Sequence, residues 1–79
     1  MTVAPQPEQV RQLVARVFRE FGASPRSLFD LNETLLIKSG RYVARTYRAR
    51  GLMAMWLVEA GIVQFYDADG AMVRTVNLL

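Results

Sequence analysis

Four glycines, Gly40, Gly51, Gly61 and Gly70, punctuate the second half of the chain, and the runs between them are rich in Val, Ile, Leu, Tyr, Phe and Trp. Turn residues at intervals of roughly 8–12, separated by β-formers, mark an antiparallel meander. The rhythm predicts five strands, at about 34–38, 41–49, 52–59, 62–67 and 71–78. Ser39-Gly40, Arg50-Gly51 and Ala60-Gly61 read as two-residue turns. Asp67-Ala68-Asp69-Gly70 reads as a type I turn closed by a glycine in the left-handed region.

Ahead of the meander the periodicity changes. Residues 1–6 read as a loose lead-in, and a helix is predicted over 7–22. Pro7 suits a first helical position, where its missing N–H costs nothing, and Glu8 favours the helix dipole. Val10, Leu13, Val14, Val17, Phe18 and Phe21 make one stripe at the helical period. Gly22 is placed to end the helix in a left-handed conformation. Ser24-Pro25 opens a second unit over 25–31, read either as a single helical turn or as an ordered loop, which drops Leu28, Phe29 and Leu31 onto the core. The expected fold is α+β: an N-terminal amphipathic helix packed on a four- to five-stranded antiparallel β-meander (residues 34–79), in a single domain spanning 1–79.

Composition narrows the chemistry. A chain of 79 residues buries only about 60% of its unfolded surface and usually needs disulfides, a metal or oligomerisation. Cysteine and histidine are both absent. Their absence removes disulfides, thiolate zinc sites, the commonest metal ligand and the commonest general base. No cofactor or metal is expected, and oligomerisation is the remaining support. Hydrophobic residues make up 52% and charged residues 22%, which argues against disorder. The longest apolar run, Leu52 to Val58, falls far short of the ~20 residues that span a bilayer. With Pro5 and Pro7 near the start there is no export signature, so a cytoplasmic setting is the expectation. The net charge of +3 is mild, and nine of the ten basic residues are arginine.

Alternation along the strands assigns side chains to faces. One face is expected to carry Leu36, Val43, Tyr47, Ala54, Trp56, Val58, Val63, Phe65 and Val73. The other is expected to carry Leu35, Ile37, Ala44, Met53, Met55, Leu57, Ile62, Met72, Val76 and Leu78. One helix covers one face, so a second apolar face is left over, and such a patch usually marks an interface. The expectation is a homo-oligomer, a dimer first, that associates through its sheet or sheet edge. Two alternatives stand beside it: the sheet curls over its own concave face, or the register slips at a turn and swaps the faces partway.

The candidate interface and core residues are Met53, Met55, Leu57, Trp56 and Phe65. A second reading takes the arginines as a surface for single-stranded nucleic acid. Arg45, Arg48 and Arg50 with Tyr47 combine positive charge with an aromatic ring, as stacking platforms do. The plainer account has Trp56 paired with Phe65 and Arg45 lying across the indole. Asp67 and Asp69 begin like a calcium loop, but no acid follows in 71–79 to close it. Glu59, the one carboxylate placed within a strand, is better read as solvated or arginine-paired than as a general base. No phosphate-binding glycine loop is present, and no catalytic residue is assigned. The function expected is that of a small non-enzymatic interaction module.

Overall fold

The computed structural model describes residues 5–24, 26 and 31–78. Helix α1 spans Pro7–Glu20, and five strands follow: β1 (Asn32–Lys38), β2 (Arg41–Ala49), β3 (Leu52–Leu57), β4 (Ile62–Tyr66) and β5 (Met72–Asn77). They form one sheet in the order β1-β2-β3-β4-β5, every neighbour antiparallel. The α+β meander expected from the glycine rhythm is the observed fold. The short unit expected at 25–31 lies outside the described residues except for Arg26 and Leu31.

Both helix ends are satisfied locally. The Gln6 amide donates to the Gln9 side chain at 3.1 Å, and Pro7 occupies the first helical position. At the other end Gly22 sits at φ +97. The Ala23 amide donates to the Phe18 carbonyl and the Gly22 amide to the Arg19 carbonyl, each at 3.0 Å. These two bonds make a Schellman cap, which uses the carbonyls the last turn leaves unpaired.

The buried stripe Val10, Val14, Val17 and Phe18 lies over Tyr47, Ala49, Ala54, Trp56, Val63 and Phe65. Phe18 and Phe65 meet edge to face, with centroids 6.1 Å apart. Side chains of this size contribute about 1.5–3 kcal/mol each when fully buried, so this one layer supplies most of the hydrophobic stabilisation.

The central strands β2, β3 and β4 present the expected faces, and the two edge strands do not. Leu36 opposes Ala44 while Ile37 opposes Tyr42, which leaves Val43 as an extra residue in β2. Leu36 therefore joins the face away from the helix, and Leu35 lies on the helix side opposite Arg45. In the last hairpin Tyr66 opposes Met72 and Phe65 opposes Arg74, so Val73 is the extra residue. Beyond it β5 is turned over, and Val76 opposes Val63 on the helix side. The β3–β4 connector is also longer than expected. Leu57 opposes Ile62 across the four residues Val58 to Gly61. That moves the pairing by two residues and keeps the faces, but Trp56 now opposes Val63 and Phe65 opposes Ala54.

Candidate interaction surface

With α1 on one face, no other described helix or strand lies over the second face of the sheet. The register lays it out as three rungs running across all five strands. The first is Leu36, Ala44, Leu57, Ile62 and Asn77, apolar over four strands. The second is Thr34, Thr46, Met55, Gln64 and Thr75, polar except at its centre. The third is Asn32, Arg48, Met53, Tyr66 and Met72. Ala44 is buried between its neighbours, Met53, Met55, Leu57 and Ile62 are half-buried, and Leu36 and Met72 are exposed.

Of the sequence-derived candidates, Met53, Met55 and Leu57 share this open face. Trp56 and Phe65 lie in the core beneath the helix, out of reach of a partner. The apolar rung ends at an apolar corner. Leu35, Leu36 and Ile37 follow one another along β1 at 50%, 49% and 62% exposure, and Tyr42 stands beside them on β2.

The arginines divide into engaged and free. Arg45 donates to the Glu33 carboxylate at 2.6 Å and through Nε to the Tyr42 hydroxyl at 3.0 Å, and it lies over the Tyr42 ring at 5.6 Å. Arg11 of the helix reaches the other Glu33 oxygen at 2.8 Å. Glu33, just outside the first strand expected at about 34–38, thus joins α1 to β1 and β2. The signal that could have found it is alternation: Leu31, Glu33 and Leu35 fall on one side once β1 starts at Asn32. Burial works against the charge of Arg45, and the Tyr42 hydroxyl and the Glu33 carboxylate outweigh it, so the guanidinium is held above its ordinary value.

Tyr47, opposite Glu33, is completely buried. Its hydroxyl makes no hydrogen bond, though Arg45 and Glu33 are near enough to act on its charge. Burial first, and the Glu33 carboxylate second, push the phenol up to about 12. Neither Tyr47 nor Arg45 is therefore presented to a nucleic acid. Arg48 and Arg50 do face solvent, where they line an open cleft of about 770 Å³ with Met53, Tyr66 and Asp67.

The remaining candidates have local explanations. Glu59 lies in the β3–β4 connector and pairs with Arg41 at 2.6 Å, both side chains well exposed. Asp67 Oδ1 accepts from the Asp69 and Ala71 amides at 3.0 Å each, so it caps its own turn. Among the described residues no three His, Cys, Asp or Glu side chains converge on a metal position. No helix among them is long and apolar enough to cross a membrane. Comparisons with protein-family models, curated proteins and solved structures find no match.

Proposed function

We propose that this chain is a small non-enzymatic interaction module that self-associates through its sheet, in a cytoplasmic setting. The observation that carries the reading is the apolar rung Leu36-Ala44-Leu57-Ile62, with Met55 beside it, on the face the helix leaves open. Five strands at about 4.8 Å and six residues at about 3.4 Å give a projected face of roughly 500 Å². The polar middle rung leaves about half of that apolar on each copy, so a dimer removes about 500 Å² from water, worth on the order of 12 kcal/mol at about 25 cal/mol per Å². Association costs at least about 4 kcal/mol, which leaves at most about 8 kcal/mol, so the contact is no tighter than micromolar and is concentration-dependent, with a dimer as the first assembly.

The test is substitution at the centre of the face. Leu57→Glu and Met55→Glu place a charge where a partner would cover it, and neither side chain belongs to the buried core. Light scattering at about 100 µM is expected to show both variants with a lower average mass than the associating unmodified protein. Association unchanged in both variants would contradict the reading.

A second reading rests on the cleft. Arg48 and Arg50 carry no ion pair among the described residues and share the cleft with Tyr66. They are what remains of the arginine surface read for single-stranded nucleic acid. A labelled oligonucleotide should then bind at low salt and lose affinity steeply as salt rises, and no binding at low salt would end this reading.

A further inference from the structure

The two edges of the sheet differ in a way that assigns them different roles. β5 carries its own bulge at Val73, and Arg74 turns back to the helix, where it pairs with Glu20 and lies 5.0 Å from the Phe21 ring centroid. A bulged edge tied to its own helix is poorly shaped for a further strand. β1 is regular along its length, because the extra residue of the first hairpin belongs to β2. Seven of its seven residues are exposed or half-buried, and Leu35, Leu36 and Ile37 stand in sequence. Consecutive strand residues point to opposite faces, so no cover placed on a single face can shelter all three. A strand laid alongside shelters both faces at once.

We propose that β1 pairs antiparallel with β1 of a second copy and extends the sheet from five strands to ten. Opposed residues in a strand pair share a face, and a two-fold axis perpendicular to the sheet preserves faces. The axis must therefore lie midway between one residue and its own copy in the second chain. Placed at Leu36, it sets Leu36 against Leu36 of the second copy and Leu35 against Ile37, so every apolar side chain of the edge meets an apolar one. It also opposes Thr34 to Lys38, and no like charges face each other. Placed at Leu35 instead, it would oppose Leu36 to Thr34 and Ile37 to Glu33. A parallel in-register pair would set Lys38 against Lys38 and Glu33 against Glu33. The Leu36 axis alone makes the rung Leu36-Ala44-Leu57-Ile62 continuous across both copies.

The edge contact is independent of packing between open faces, and the absence of cysteine allows the two to be tested apart. Opposed Cα atoms of an antiparallel pair lie about 4.5–5.5 Å apart, within reach of a disulfide. Leu35→Cys and Ile37→Cys lie on the helix side of the edge, where face packing cannot bring them together. Under mild oxidation the mixture of these two variants is expected to form disulfide dimers several-fold faster than either alone or than Val73→Cys on the β5 edge. A mixture no faster than Val73→Cys would overturn the proposal. Met55→Cys reports the face contact separately. If it cross-links while the mixture does not, the edge pairing fails and the proposed function stands. If the mixture cross-links while Met55→Cys does not, the edge pairing stands and the open face is not the contact.

Discussion

Tyr47 shows how a residue can be well placed for packing and poorly placed for hydrogen bonding. Its ring fills the centre of the helix side while its hydroxyl is buried without a partner. Removing an unsatisfied buried hydroxyl recovers its desolvation cost, so Tyr47→Phe is expected to leave stability unchanged or raise it by about 1 kcal/mol in urea titrations at neutral pH. The pH dependence has a definite sign. The folded phenol is raised to about 12 from an ordinary value of 10.0, so folding favours the protonated form. The stability it contributes is complete below pH 10 and is lost as pH rises towards 12. Wild type should therefore lose more stability than Tyr47→Phe between pH 9.5 and 11.5, by about 1–2 kcal/mol. An equal loss in both proteins would place the alkaline transition elsewhere. Glu33 is the opposite case, a half-buried carboxylate using both oxygens, one on Arg11 and one on Arg45. Glu33→Gln leaves the Arg45 guanidinium sheltered and without its counter-charge, an expected loss of about 1–3 kcal/mol in the same titration. Neither role was legible in the sequence. Tyr47 resembles any strand aromatic there, and the partners of Glu33 lie 22 and 12 positions away.

At the scale of elements, local chemistry was legible and pairing irregularities were not. Helix α1 could be read end to end because Pro7, the apolar stripe and Gly22 act within a few residues of one another. Three of the four turns could be read for the same reason, and in Asp67-Ala68-Asp69-Gly70 the Gly70 amide donates to the Asp67 carbonyl at 3.0 Å with Gly70 at φ +83. Ser39-Gly40 and Arg50-Gly51 both adopt positive φ, at 54 and 76 and at 53 and 80, as a two-residue turn of type I′ requires. Gly51 is constrained twice, since a Cβ there would also lie 3.3 Å from the Ala68 Cβ of the β4–β5 turn. Gly51→Ala is expected to lower the thermal midpoint, at a cost of about 1–2 kcal/mol, whereas the exposed neighbour Arg50→Asn should be tolerated. The bulges at Val43 and Val73 left no such mark. Valine is an ordinary strand residue, and whether it pairs or is skipped depends on neighbours across the sheet. Each skip turned over the residues beyond it, which is why faces were read correctly on β2, β3 and β4 and misread on β1 and β5.

For the molecule as a whole, the described residues leave an inequality: a five-stranded sheet with two faces, and helix α1 over one of them. The inequality was visible in the sequence. Its shape came from the register, which gathers Leu36, Ala44, Leu57 and Ile62 into a rung and fills the next rung with Thr34, Thr46, Gln64 and Thr75. A wholly apolar face would drive strong and indiscriminate association. On the proposed reading, a single apolar rung running into an apolar edge makes the contact weak and directional, as reversible assembly requires. The most direct test is sedimentation velocity of the unmodified protein across about 1–200 µM, a range that brackets micromolar association. Sedimentation should report a mass that rises with concentration from the 9.0 kDa monomer towards a multiple of it. A mass of 9.0 kDa throughout that range would contradict self-association through the sheet.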